Sequence, residues 1–537
     1  MIDKVLLNTG FKLSIEGRFD EANKIFDELL ENNPKDLSLF GMLANLFVKT
    51  KQIEKAKDCL RKICKIKEDF NTITTLGMLE YQTQNYDRAA AIFEKALTLG
   101  KTVEIYSSLL TSYRYLRKYA NLLVRAKEML ELYPDNFDAI HGIINSLMNT
   151  GKVFEAKEFC FKYLQKFPKT PFLWIDFGFI EELTNSNTKQ ALEYYLKAYE
   201  LDKDNTSTAP YHIALAYCTL KDYENAFKYY NICLKRDPND ISAKTDLGML
   251  QLRLKQFKEG YHNYYQRKIY KHALDGASEN IYKLGAPLEK DIVIICDQGY
   301  GDHIQFIRYL PVIKNKFNSI QVVTPKPLMK LFEENFPDID FIDVSELDPK
   351  KQAIRICDMP IVFDIDFDNV PYPEGYLNIK PTDIKSEKLK VGLCCEAGGV
   401  NIRGPLQRTV HIDYFDKIFK LDNIQTYFLQ LEDSFNAIEK YPQMINLGKD
   451  FKDFSDTAKA IKAMDLVICV DTSVMHLAAA LGVKTFLLLP YITDWRWFDD
   501  TKTTPWYDSV EIFKQIDPID WVKPIEDIIC RLKELSS

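Results

Sequence analysis

The stretch Asp465–Pro490, DLVICVDTSVMHLAAALGVKTFLLLP, reads as strand, tight turn, helix, loop and strand. Leu466–Val470 is a short apolar run with β-branched residues, which suits a buried parallel strand. Asp471, Thr472 and Ser473 follow where the chain must turn. Thr472 or Ser473 can cap the next helix by accepting from its free N–H groups. That helix is expected from about Val474 to Leu481, with Gly482 at its C-terminal stop. Thr485–Leu489 then returns as the next strand. A helix start at the carboxyl edge of a parallel sheet gathers N–H groups and hydroxyls, with His476 one turn in. Such an edge favours an anion, most naturally phosphate. The same unit also serves as plain α/β scaffolding, so its meaning depends on the rest of the chain.

Working back towards the N-terminus, strand and helix alternate from Asp291. DIVIIC is a strand, DQGYGDHIQ a glycine-containing loop, and IQFIRYLPVIKNKF a helix. SIQVVT, KPLMKLFEENFP and DFIDV continue the rhythm, which implies a parallel sheet with right-handed crossovers. A second α/β unit begins at KLKVGLCCEAG and runs through TYFLQLE and DFSDTAKAIKAM to the opening stretch. The C-terminal helix PIDWVKPIEDIICRLKEL can pack on either half. In the first glycine loop, Gly299 and Gly301 let backbone approach a ligand, and Asp302 falls in the first helical turn. Asp302 there is either a helix cap or a carboxylate presented to the cleft. Neither a third glycine with a later acidic partner nor a G-x-x-x-x-G-K-[ST] run is present, which argues against dinucleotide and P-loop sites.

Before residue 270 the chain repeats itself. GRFDEANKIFDELLENNP (from Gly17), NYDRAAAIFEKAL (from Asn85), GKVFEAKEFCFKYLQKFP (from Gly151) and DYENAFKYYNICLKRDP (from Asp222) follow one template. An alanine recurs at Ala22, Ala56, Ala89, Ala156, Ala191 and Ala226, with Phe26, Leu60, Phe93, Tyr195 or Tyr230 four residues on. Upstream, a second helix carries a small residue at Gly10, Ala44, Gly77, Gly178, Ala214 or Gly248. The period of roughly 34 residues resembles the tetratricopeptide repeat, and Trp174, Phe177 and Gly178 match its first-helix signature. The unit at about 103–136 matches poorly. About eight units fit between residues 3 and 270, which implies a right-handed α-solenoid. Its groove either holds a peptide or partner protein or merely supports the second half.

Composition fits a multi-domain globular protein: 537 residues, 46% hydrophobic, with net charge −7 and pI near 5.7. There is no basic excess to attract nucleic acid or anionic membrane. No apolar run is long enough for a membrane span, and the N-terminus lacks the pattern of a signal peptide. Eleven scattered cysteines without a C-x-x-C pair point to reduced thiols and a cytoplasmic setting.

DQGYGDHIQFIRYLP, FLQLE, the run from DFSDTAKAIKAM through DTSVMHL to DWRW, and TPWYDSVEIFKQ together resemble bacterial tetratricopeptide-repeat glycosyltransferases. Their catalytic half is heptosyltransferase-like with the GT-B fold, and the domain order is distantly similar to that of O-GlcNAc transferase. The resemblance implies an α + α/β chain: repeats at 1–270, a junction at 271–290, an acceptor-side Rossmann-like half at 291–385 and a donor-side half at 386–537. It implies Asp302 as general base, taking the proton from an acceptor hydroxyl. It implies donor-binding roles for Gly299, Gly301, Asp471, Thr472, Ser473 and His476. Arg408, after the glycines Gly398 and Gly399, would clamp phosphate, and Gln430, at the end of a strand, would contact the nucleoside. Asp494, Trp495, Arg496 and Trp497 form either a lid over the donor, with Trp stacking on a base or sugar and Arg496 donor-binding, or domain packing. His303 and His411 read as surface residues. The expected reaction uses a nucleotide-sugar donor without metal or other cofactor, and a protein or peptide acceptor in the repeat groove. A glycan or lipid-linked acceptor, or a scaffold with a decayed transferase half, are the alternatives.

Overall fold

A computed structural model describes residues 3–185, 187–202, 208–267, 280–398, 407–499, 501–518 and 520–536. The fold is α + α/β. Sixteen helices run from Lys4 to Tyr264 among the described residues, followed by two parallel sheets. The chain forms two compact units. One holds residues to Thr184 with Lys197–Asp202, and the other holds Asn185–Leu196 with Lys203–Ser537.

In the first unit, helices pair as Lys4–Ile15 with Phe19–Asn32, Leu37–Lys49 with Ile53–Ile66, and Phe70–Gln82 with Tyr86–Leu99. A polar side chain caps the first helix of several pairs. Asp36 accepts from Leu39 N at 3.0 Å, Asp69 from Thr72 N at 3.0 Å and Asn136 from Ala139 N at 3.0 Å. The turns inside the first five pairs pass through a left-handed residue: Gly17, Lys51, Gln84, Arg117 and Gly151. Small residues let the paired helices close up. A β-carbon at Gly77 would stand 2.7 Å from the Phe93 ring. The poorly matching unit is regular here, with helices Val103–Tyr115 and Tyr119–Leu132. The second unit opens with the pairs Ala209–Thr219 with Tyr223–Arg236 and Ile241–Arg253 with Phe257–Tyr264.

The first sheet contains β1 (Asp291–Ile295), β2 (Ser319–Val323), β3 (Asp340–Ile342) and β4 (Gln352–Arg355), in the order β3-β2-β1-β4. The second contains β5 (Leu389–Cys394), β6 (Ile424–Phe428), β7 (Ile445–Asn446), β8 (Leu466–Val470), β9 (Thr485–Leu489) and β10 (Val510–Lys514), in the order β10-β9-β8-β5-β6-β7. All pairings are parallel. Strand β8 is central and buried on both faces. Val467 and Cys469 join the core shared with the first sheet's helices, and Ile468 and Val470 join the core under the C-terminal helix Val522–Ser536. That two-sided burial is why β8 reads as an unbroken apolar run. The expected long helix after the first glycine loop is broken. It is α-helical over Tyr300–Phe306, tightens to a 3-10 turn over Ile307–Tyr309 and resumes over Leu310–Ile313, with Pro311 unable to extend the earlier ladder.

Candidate active site

Both halves of the second unit place a helix start at the carboxyl edge of a central strand. After β8 the chain turns at Thr472, whose Oγ1 accepts from Val474 N at 3.2 Å, and the helix runs over Ser473–Ala480. Met475 N–H bonds back to the Thr472 carbonyl at 3.1 Å. After β1 the loop ending at Gly299 opens the helix Tyr300–Phe306, and Gly299 N–H donates to Asp302 Oδ2 at 3.0 Å. Asp302 is therefore a helix cap and a cavity residue together. The two helix starts meet: a β-carbon at Gly301 would stand 2.9 Å from His476 Cδ2.

Between them lies a cavity of about 430 Å³. Gly299, Gly301 and Asp302 line one side, and Arg408, Asp471, Thr472, Ser473 and His476 line the other. Asp494, Trp495 and Arg496 also line it, as do Met249 and Tyr264 of the last repeat. Gln430 stands apart. Strand β6 ends two residues earlier, at Phe428, and Gln430 Oε1 accepts from Cys395 N at 2.6 Å and Glu396 N at 2.9 Å, bracing the backbone after β5. Gly399 and residues 401–406 lie outside the described residues.

Arg496 holds the two halves together at this point. Its Nε donates to Gln305 Oε1 at 2.8 Å, Nη1 to Asp494 Oδ1 at 2.8 Å, and Nη2 to Asp302 Oδ1. Its guanidinium lies over the Trp495 ring at 4.5 Å. Trp495 and Trp497 are buried core, so the cluster is packed rather than a loose flap. Burial raises the Asp302 pKa above the ordinary carboxylate range. The charges of Asp494 and Asp297 add to that rise, while Arg496 and the Gly299 N–H oppose it. Burial also pushes at Asp494, but Arg496 and Arg253 hold its pKa below the usual value.

His476 is buried and fixed. Its Nδ1 lies 3.0 Å from Tyr507 Oη, and its ring stacks on Trp497 with centroids 5.5 Å apart. Burial and the positive charges of Arg496, Arg308 and Arg408 drive its pKa well down, so the imidazole is neutral. Arg308 is itself buried between the rings of Tyr376 and Tyr507, at 4.5 and 4.4 Å. Arg408 Nη1 donates to the Asp471 carbonyl at 3.0 Å, which fixes its head beside the turn. Asp471 is pushed up to about 6 by burial and by Asp494, against the pull of Arg408 and Arg496.

Of the two histidines read as surface residues, His303 departs from that expectation and His411 meets it. His303 is buried, its pKa driven down to about 4 by that burial, so it is no surface residue. His411 is exposed and accepts from Asp413 N at 3.3 Å, a local cap. Sequence reasoning missed Tyr507, Gln305, Met249 and Tyr264. The first two fix His476 and Arg496 from distant elements, and the last two carry ordinary repeat signatures.

Residues 451–519 match Glycosyltransferase family 9 (heptosyltransferase), a span that includes the Asp471–His476 turn, Arg496 and Tyr507. Residues 13–70, 71–99 and 209–240 match Tetratricopeptide repeat families. The layout is thus tetratricopeptide repeats followed by a glycosyltransferase-like segment. The chain is 23% identical over 234 residues to BBSome complex member BBS4 of Bos taurus, across 42% of this chain and 43% of that protein. It is 27% identical over 162 residues to the TPR repeat-containing protein MJ1428 of Methanocaldococcus jannaschii, across 30% of this chain and 28% of that one. The chain therefore spans less than half the length of these curated relatives. Among solved structures it is similar to YrrB, a TPR protein with an unusual peptide-binding site, at 22% identity and TM-score 0.28, over 33% of this chain and 93% of that one.

Proposed function

We propose that this chain is a nucleotide-sugar-dependent glycosyltransferase of the GT-B type, acting on a hydroxyl of a protein or peptide recruited by the repeats. The observation that carries the reading is the meeting of two helix starts on one cavity, with Asp302 on one side and Arg408, His476 and Arg496 on the other. The donor's diphosphate would lie at the start of the helix Ser473–Ala480, where backbone dipoles, the Thr472 hydroxyl hydrogen and two guanidiniums favour negative charge. Neutral His476 suits that place. With Tyr507 donating to Nδ1, the proton sits on Nε2 and is offered to a phosphate oxygen. In transfer, the acceptor oxygen attacks the anomeric carbon, the bond from that carbon to the phosphate oxygen breaks, and Asp302 takes the acceptor proton. The diphosphate leaves with its growing charge held by the helix start and the arginines, without need of a metal. An incoming diphosphate competes with Asp302 for Arg496, so donor binding frees the carboxylate that serves as base. Asp471, at about 6, is protonated more readily than an ordinary aspartate and tolerates a phosphate nearby.

The test is incubation of the purified protein with labelled nucleotide sugars and cell extract. Transfer of label to a macromolecule, surviving EDTA and abolished in Asp302→Asn, is the expected outcome. Failure of any nucleotide sugar to bind or turn over, with Asp302→Asn indistinguishable from wild type, overturns the reading.

A further inference from the structure

Four charged side chains meet beside the glycine loop but outside the cavity lining. Arg267 lies three residues past the last repeat helix, Phe257–Tyr264. Its Nε donates to Asp297 Oδ2 at 2.9 Å and its Nη2 to Asp297 Oδ1 at 3.0 Å. Its Nη1 donates to Asp358, whose other oxygen accepts from Arg355 Nε. Arg355 in turn donates from Nη1 to the Arg267 carbonyl at 3.1 Å and from Nη2 to the Tyr265 carbonyl. The four side chains are 4%, 0%, 2% and 4% exposed for Arg267, Asp297, Asp358 and Arg355. Two guanidiniums balance two carboxylates, so the cluster is neutral only while all four remain.

Its position gives the cluster a role beyond adhesion. Asp297 lies in the loop between β1 and the helix Tyr300–Phe306, and Asp302 lies in the first turn of that helix. A two-point bond from Arg267 therefore fixes the loop's origin in both distance and direction, as a flat guanidinium does and a single contact does not. Two further contacts lead from the same arginine to the same aspartate. The Arg267 guanidinium lies 4.4 Å from the Tyr264 ring, and Tyr264 lines the cavity and packs on Trp495 at 5.9 Å, next to the Arg496 that holds Asp302. Cys357, adjacent to Asp358, places its Sγ 3.9 Å from Asp302 Oδ1. Docking as such is already served by apolar contacts. Phe257 meets Phe367 at 5.0 Å, and Tyr261 meets Trp495 at 5.8 Å. What the buried fork adds is orientation.

We infer that Arg267 is a positioning residue, by which the last repeat holds the Asp302 loop in register with the cavity. The role given to Asp302 rests on the proposed transferase reading, whereas the clamp itself does not. The experiment is hydrogen exchange read by mass spectrometry on the full chain, for wild type, Arg267→Met, Arg267→Lys and Asp297→Asn. In Arg267→Met, amides of residues 298–304 exchange about tenfold faster or more, while those of 466–480 are unchanged. Arg267→Lys, which keeps the charge but loses the fork, lies between the two. In the transfer assay Arg267→Met lowers kcat about 100-fold. The donor KM stays within about threefold of wild type. Unchanged exchange at 298–304 in folded Arg267→Met overturns the inference, as does an equal rise at 466–480. If Arg267→Met fails to fold, Asp297→Asn decides: faster exchange confined to 298–304 supports the clamp, and wild-type exchange there refutes it. A wild-type protein that turns over no nucleotide sugar removes the transferase reading, yet the exchange pattern still judges the clamp.

Discussion

A β-carbon added to Gly301 would fall 2.9 Å from His476 Cδ2 and 3.5 Å from its Nε2. The ring cannot retreat, because Tyr507 holds one edge and Trp497 its face. Gly301→Ala is therefore expected to destabilise the protein by about 1–3 kcal/mol through overpacking and, on the proposed transferase reading, to weaken nucleotide binding. Gly299 differs. The nearest atom to its added carbon is Asp302 Oδ2 at 3.8 Å, and its backbone is extended, so Gly299→Ala meets no overpacking and costs only the N-cap preference for glycine over alanine, about 0.5–1 kcal/mol. Denaturant melts of the pair, with nucleotide titrations, check both; equal losses would show that His476 does not set the limit. Asp471 gives a pH-dependent prediction. Its folded-state pKa is raised from 3.8 to about 6, so the fold favours the protonated form. The penalty is absent below the unfolded value, grows between about pH 4 and 6, and is complete above; two units correspond to about 3 kcal/mol. Asp471→Asn should thus stabilise the protein by that order at pH 8 and hardly at all at pH 3.5, measured by urea unfolding at each pH. A gain independent of pH would sink the assignment. The lining positions of Asp302 and the turn Asp471–His476 follow apolar strands closely in the chain and so stand out locally, whereas Arg408 lies well past the end of β5 and is picked out by the resemblance alone. The Arg496–Asp302 bond joins residues 194 apart, and nothing local in either segment announces it.

At the level of elements, the unit at 103–136 shows how a repeat loses its signature without losing its fold. In the first and third units a glycine on one helix meets a phenylalanine on the next, Gly10 with Phe26 and Gly77 with Phe93. In the fourth, the corresponding positions are Leu110 and Ala126, so the large and small residues have changed helices. Both are buried, and they converge with Leu122 where a β-carbon on Gly142 would touch all three, at 3.5, 3.1 and 3.6 Å. A template that looks for small-then-large misses a hairpin filled large-then-small, although the volume is conserved. Leu110→Ala should cost about 2–4 kcal/mol by leaving a cavity. Ala126→Phe alone should cost about 1–3 kcal/mol by overpacking. Together they should recover, with a coupling energy of about 2 kcal/mol in a double-mutant cycle. Simple additivity in urea unfolding would show that the two sites do not share one volume. The same limit applies to Gln430: the apolar run TYFLQLE suggested a strand reaching the cleft, but pairing with β5 ends at Phe428, and only the neighbouring strand settles that.

Across the whole molecule, the repeat pattern and the compact units do not coincide. Repeat periodicity runs to about residue 270, whereas the second unit already includes the pairs Ala209–Thr219 with Tyr223–Arg236 and Ile241–Arg253 with Phe257–Tyr264. Those helices join the α/β region through varied chemistry. Arg253 Nη2 donates to the Thr493 carbonyl at 2.7 Å, Tyr223 Oη donates to Asp499, Lys221 lies over Tyr491 at 4.2 Å, and Tyr261 and Tyr264 pack on Trp495. Sequence periodicity reports how a helix packs on its neighbours in the array and is silent about which pairs also carry a second, buried face. A fragment of residues 187–537 keeps all of these contacts and is expected to fold, with cooperative thermal unfolding followed by circular dichroism. A fragment of residues 280–537 keeps both sheets but loses Arg267, Tyr261 and Tyr264. Asp358 then keeps Arg355 while Asp297 loses the guanidinium it is paired with, and an uncompensated buried charge costs about 3–5 kcal/mol. The apolar surface of Trp495 is uncovered as well, a further loss of about 1.5–3 kcal/mol by area. Together these approach the whole stability of an ordinary domain, about 5–15 kcal/mol, so the shorter fragment should aggregate or melt without cooperativity. Cooperative unfolding of residues 280–537 at the same temperature as the longer fragment would mean that the last two helix pairs are ornament to the α/β region rather than part of it.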